Sequence, residues 1–222
     1  LYIAGSSNHR IWQIASPWPG FPIGDYIISS ESGQQIFYFE KNGRHRETLD
    51  AISGATLYSF NYNEAGLLDN IIDLNGLVTQ IERDDNGVPL AIHSPYGQTT
   101  ALHLDANGFL SEVVNPIDEK YLMSYDNMGL MLTYQNPNQA ETNYQFDMLG
   151  RLTEDAGPEN SGWNLARREW KNGFDVTMTS AGGVSTLYQV SALNNGDYER
   201  KITSADNLIT TQIAKTNGEK VI

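Results

Sequence analysis

Asp84, Asp105, Asp126 and Asp147 follow one another at intervals of 21 residues, with Asp85 beside the first. Stacked one per repeat, such carboxylates could hold a hard cation such as Ca²⁺, which takes about six to eight oxygen ligands. Each position, however, offers only one or two carboxylates, and the dense Asp-x-Asp-x-Asp spacing of a loop site is missing. Stabilising a turn is the expected role. The four histidines are His9, His45, His93 and His103. Zinc needs several converging ligands, and catalysis needs a base set between a nucleophile and an orienting group. His93 and His103 stand one hairpin leg apart and could approach, yet no His-Glu-x-x-His or Gly-x-Ser-x-Gly motif accompanies them. The segment SAGGVST (180–186) lacks the glycine spacing of a phosphate-cradling loop and falls where a turn is due. No catalytic residue, metal or cofactor is expected, and the chain reads as non-enzymatic.

Charge narrows the partners. The net charge is −13 and the only basic clusters are GRHR (43–46) and ARR (166–168), each followed by a glutamate. A nucleic-acid surface needs clustered cations, so no nucleic-acid partner is expected. No apolar run is long enough to insert into a membrane as a helix. Cysteine is absent, which removes disulfides and thiolate metal sites. The start at LYIAG and the end at NGEKVI suggest a piece of a longer polypeptide, whose remainder would be its first partner.

Whatever positions the aspartates must repeat as they do. A turn glycine is expected at Gly43, Gly66, Gly87, Gly108, Gly129, Gly150, Gly173, Gly196 and Gly218, with four central intervals of 21 residues. Such a period indicates a repeat architecture. Three residues before the glycine stand Asn63 (with Gly66), Asp84 (Gly87), Asp105 (Gly108), Asp126 (Gly129) and Asp147 (Gly150). Asp or Asn at the first position of a type I turn bonds the backbone two residues on, and glycine at the fourth takes the left-handed conformation of a bulged hairpin. Each motif is predicted to be a hairpin tip. A second turn is due about ten residues later, at DLNG (73–76), SPYG (94–97), NPID (115–118) and NPNQ (136–139).

Ahead of the first turns every second residue is large: Tyr58, Phe60, Tyr62; Tyr121, Met123, Tyr125; Thr142, Tyr144, Phe146. This alternation predicts strands with one covered face, and no segment shows a helical period. The expected fold is all-β. Tyr58, Tyr62, Tyr121, Tyr125, Tyr144 and Phe146 either pack across strands or present a face to cargo or a glycan.

The stretches YQFDMLGRL (144–152) and SYDNMGL (124–130) resemble the YD repeat of the Rhs, insecticidal-toxin and teneurin-like family. The likeness is clear over 58–155 and degenerate over 166–222, where Trp170 and Leu193 replace the aspartate. LYIAGSSNHRIWQI (1–14) is similar to an NHL-type propeller blade, with His9 in the blade pattern, and YIISSESGQQIFYF (26–39) looks like a degraded second copy. The resemblance implies an NHL-like segment over 1–40 followed by YD/Rhs hairpins over 41–222, winding into part of a spiral β-shell. It implies a structural scaffold in a secreted or surface bacterial protein, enclosing a C-terminal toxin or other cargo. The alternative it implies is a teneurin-like module for adhesion to cell-surface proteins or glycans. The partners so implied are further YD repeats, a propeller and a C-terminal toxin of the same polypeptide.

Overall fold

An Asp/Asn side chain is short enough to reach its own backbone, and a turn that begins with one can close on itself. The computed structural model shows this closure repeatedly. It describes residues 24–216 and 219–221 in full and residues 2–5 and 10–13 by their backbone. His9, the connection 16–23 and Gly218 lie outside the described residues. At Asp84, Oδ1 accepts from the backbone N–H of Asn86 (2.9 Å) and of Val88 (2.8 Å). Asp105 and Asp126 each bind the N–H groups two and four residues on in the same way. The glycine N–H returns to the aspartate carbonyl, as Gly108 does to Asp105 at 3.0 Å. The second turns repeat the device with Asp73, Asn115 and Asn136, and the fourth position is left-handed even where it is Asp118 or Gln139.

These turns join strands into antiparallel ladders in which sequence neighbours pair. At the N-terminus β1 (Tyr2–Gly5) and β2 (Arg10–Gln13) form a two-stranded sheet. The chain divides into two compact units, residues 1–101 and 102–222. In the first, β3 (Tyr26–Ser29), β4 (Gln35–Phe39), β5 (His45–Asp50), β6 (Thr56–Tyr62), β7 (Leu68–Asp73), β8 (Val78–Arg83), β9 (Pro89–His93) and the start of β10 (Thr99–Leu104) pair in that order. The ladder runs from β4 into β5 with a register shift at Tyr38/Phe39.

In the second unit the order is β11 (Leu110–Val114), β12 (Lys120–Tyr125), β13 (Met131–Gln135), β14 (Glu141–Phe146), β15 (Leu152–Gly157), β16 (Ser161–Trp170), β17 (Gly173–Ser180), β18 (Ser185–Ala192), β19 (Tyr198–Thr203), β20 (Ile209–Ala214) and β21 (Lys220–Val221). The architecture is all-β, as expected. The 156–168 extension lengthens the β15–β16 hairpin through a short 3₁₀ turn at Pro158–Asn160.

One glycine corrects the sequence reading. Gly173 is not a turn glycine: it opens β17, opposite Trp170, and the chain reverses at Lys171 and Asn172. A Cβ at Gly173 would lie 2.2 Å from the carbonyl oxygen of Val190. Close approach of a neighbouring backbone, not turn geometry, demands glycine there.

The turns also pack on one another. At three of these turns the residue after the turn glycine lies over the glycine of the next first turn: Leu67 on Gly87, Phe109 on Gly129, Leu130 on Gly150. Gly108 and Gly129 have nearly the same φ, +86° and +87°, but only Gly129 has a neighbour in the space a Cβ would fill, the Phe109 ring at 2.8 Å. We expect Gly108→Ala to cost ~1–2 kcal/mol from left-handed strain alone. Gly129→Ala adds overpacking of about 1 kcal/mol, and urea titration of the two variants measures the difference.

Candidate functional site

The aromatic stripe becomes a surface because strand alternation places every second side chain on one face. In β12, Tyr121, Met123 and Tyr125 are half-buried while Lys120, Leu122 and Ser124 are exposed; in β14, Thr142, Tyr144 and Phe146 are half-buried while Glu141, Asn143 and Gln145 are exposed. Register carries the stripe from strand to strand: Met123 is opposite Tyr134, and Tyr134 is opposite Thr142. The Tyr121 and Tyr134 rings stack 6.4 Å apart, and Phe109 lies against Tyr125 at 5.3 Å. Burial, reinforced by the Asp155 carboxylate opposite, raises the Tyr144 phenol above its ordinary range. In the first unit, Phe60 is opposite Ile71, while Tyr58 opposite Asp73 is 46% exposed.

This face is covered by its own cross-strand neighbours and by little else. Among the described residues the buried apolar side chains are Ile36, Tyr38, Leu49 and Ala91, and no large side chain is fully buried. The stripe has packing partners and accessible area at once.

The tyrosines that precede the turn residue have a further task. Tyr62 Oη donates to the carbonyl of His45 (2.8 Å) and Tyr125 Oη to that of Leu110 (2.9 Å). Arg83 holds the same repeat position and reaches the carbonyl of Leu68 at 3.2 Å. The side chain before the turn thus fastens a neighbouring strand.

The histidines serve separate neighbourhoods. His93 Nε2 is 2.7 Å from Glu82 and its Nδ1 3.1 Å from Thr99. His103 lies 3.9 Å from Glu112, which also binds Lys120 at 3.1 Å. His45 sits between Phe39 and Phe60, with ring centroids at 4.6 and 4.1 Å, and bonds Thr48 and the Glu47 carbonyl. Among the described residues no three histidine or carboxylate side chains gather as they would around a metal. Asp84, Asp105 and Asp126 spend Oδ1 on their own turns, and Asp147 also binds Arg151 Nε at 2.7 Å, which lowers its pKa.

The setting of His45 gives a pH prediction. Burial lowers its pKa below the ordinary imidazole range, so the unfolded chain takes up this proton more readily than the folded one. Stability from this site is complete above the unfolded pKa of about 6.5 and declines as pH falls toward the folded value. Thermal melts at pH 7.5 and 5.5 should show a loss on acidification that His45→Gln reduces. The shifted carboxylates, Asp50, Asp147, Glu169 and Asp206, have lowered pKa values and act at more acidic pH.

Sequence reasoning passed over the arginine after the Gly150 turn. Arg151 joins Asp147 to Glu169 (2.7 Å), and Glu169 also binds Arg167 (2.8 Å), whose guanidinium lies 3.6 Å from the Phe174 ring centroid. The Gly-Arg-Leu that closes the YQFDMLGRL stretch was the visible sign of this tie between hairpins.

An antiparallel meander of turn-locked hairpins with an alternating aromatic face defines a β-repeat wall. A family model described as Teneurin YD-shell matches residues 24–222. The chain belongs to this teneurin YD-shell family. It is 32% identical to mouse (Mus musculus) Teneurin-3 and 36% identical to human (Homo sapiens) Teneurin-1, each over 99 residues, 44% of this chain and 4% of that protein. Teneurin-m of Drosophila melanogaster is 30% identical over 108 residues. The chain thus spans only a small fraction of the curated relatives it matches. Among solved structures, the crystal structure of TcdB2-TccC3-Cdc42 gives a TM-score of 0.39 at 11% identity, covering 84% of this chain and 15% of that one. The structure of a Photorhabdus luminescens Tc holotoxin pore gives 0.36 at 12%, covering 82% and 14%.

Proposed function

We propose that this chain is a non-catalytic wall segment of a YD-repeat shell in a secreted or surface-displayed bacterial protein, and that the wall encloses a C-terminal toxin or other cargo of the same polypeptide. The observation that carries the reading is the half-covered aromatic face. An apolar face that its own sheet leaves accessible gains stability when a second surface covers it. Tyr121, Tyr125, Tyr144 and Phe146 in one unit, with Tyr58 and Tyr62 in the other, are the side chains offered to that contact. Isolation of the cargo would be steric and would need no chemistry from the wall. The adhesion reading, in which the surface engages a protein or glycan on another cell, draws its support from the match to the teneurin family model. The test is the intact mass of the native full-length product with its C-terminal peptides identified. A separate C-terminal polypeptide that stays bound after cleavage is the expected result. A single uncleaved chain bearing an anchor or extracellular modules would overturn enclosure in favour of adhesion.

A further inference from the structure

The GRHR cluster, which the wall function leaves unused, builds a groove in the first unit. Arg44 and Arg46 line a cleft of about 360 Å³ together with Ser59, Asn61, Glu40 and Glu47. Both guanidiniums are steadied by aromatic rings: Arg44 lies 5.3 Å from the Tyr62 ring centroid, and Arg46 lies 5.9 Å from that of Tyr38. The Tyr38 ring is itself fixed, buried and donating to Asp25 Oδ2 at 2.6 Å. Arg44 also covers Gly66, whose Cβ, if built, would fall on its Nη2.

Attraction to a nearby ring restrains a guanidinium without using up its N–H groups, which stay available for a planar anion. Among the described residues neither arginine forms an ion pair, whereas Arg151, Arg167 and Arg168 all do. In a chain of net charge −13, two arginines that line one cleft and form no ion pair there are a recognition feature. The rest of the lining sets the ligand class. Glu40 and Glu47 cancel the arginines' net charge and would repel a polyanion, yet carboxylates accept hydrogen bonds from hydroxyls, and Ser59 and Asn61 both donate and accept. The lining therefore suits one carboxylate set among several hydroxyl groups, in a volume at the small end of ligand pockets, about 300–1,000 Å³.

We propose that this groove binds a carboxylated sugar, its carboxylate on the Arg44 and Arg46 edges and its hydroxyls on Glu47, Ser59 and Asn61. The proposal is independent of whether the wall encloses a cargo. It is tested by titrating the full chain with 3′-sialyllactose and, separately, with neutral lactose and an acidic Asp/Glu peptide. Saturable binding of sialyllactose, with lactose silent, is expected. Loss of one charge-assisted bidentate contact should weaken it about tenfold in Arg46→Gln and in Arg44→Gln. Arg44 also packs on Gly66, so Arg46→Gln, whose side chain is not against a turn glycine, decides if Arg44→Gln misfolds by circular dichroism. Equal binding of lactose, no saturable binding, or binding undiminished in Arg46→Gln overturns the proposal. A preference for the acidic peptide also overturns it and would assign the groove to a protein partner.

Discussion

Gly162→Ala will destabilise the second unit more than alanine at any of that unit's turn glycines. Gly162 is the second residue of the long strand β16, opposite Ala156, with φ of +119°, and a Cβ there would sit 1.9 Å from the backbone carbonyl oxygen of Asp155. A side-chain obstacle can rotate away; this one is part of the β15–β16 ladder and cannot. Strain at positive φ alone costs about 1–2 kcal/mol, and moving the strand should bring the total to about 3 kcal/mol or more. The comparison is Gly157→Ala, five residues earlier in the same hairpin, where the nearest atom to the new Cβ is the Ser161 hydroxyl oxygen. Urea titrations followed by tryptophan emission should separate the two variants widely. Near-equal midpoints would mean that the hairpin yields freely.

Arg168→Ala will expose a cost that its own exposure conceals. Arg168 is 76% exposed, but its partner Asp175 is 4% exposed and receives the Arg168 Nη2 hydrogen bond at 2.5 Å. The two residues face each other across β16 and β17. An exposed ion pair contributes little, whereas a buried carboxylate stripped of its donor forfeits a hydrogen bond to charge worth about 1.5–3 kcal/mol. A loss of ~2 kcal/mol is expected in Arg168→Ala. Asp175→Asn, which removes the charge and keeps the shape, should lose less, and adding Arg168→Ala to it should cost little further. A double-mutant cycle in chemical denaturation measures this coupling. Additive losses would show that the carboxylate is satisfied by other means.

The parts of this fold legible in the sequence are those set by chemistry within five residues. Asp105 and Gly108 announce a turn because the side chain bonds its own backbone and the glycine takes positive φ. The alternation in Tyr121, Met123 and Tyr125 announces a strand face for the same local reason. The rest depends on residues brought together by register. Gly173 keeps the repeat's approximate spacing yet answers to Val190 on the next strand. His45 looked like one of several histidines until Phe39 and Phe60 closed over it from the flanking strands. Arg46 looked like a charge outnumbered by acidic neighbours until its place over Tyr38 set it in a groove. One long-range contact did leave a trace: a large residue follows Gly66, Gly108 and Gly129, namely Leu67, Phe109 and Leu130, each 20 residues before the glycine it covers.

That contact governs how such a chain can lengthen. A copied 21-residue unit that carries such a pair, as those with Phe109 and Leu130 do, brings a covering side chain and a glycine together, so a seam between duplicates meets a surface it already fits. Growth by fractions of a unit would set a side chain where no glycine waits. Duplication in whole hairpin pairs therefore keeps covering side chain and glycine in step.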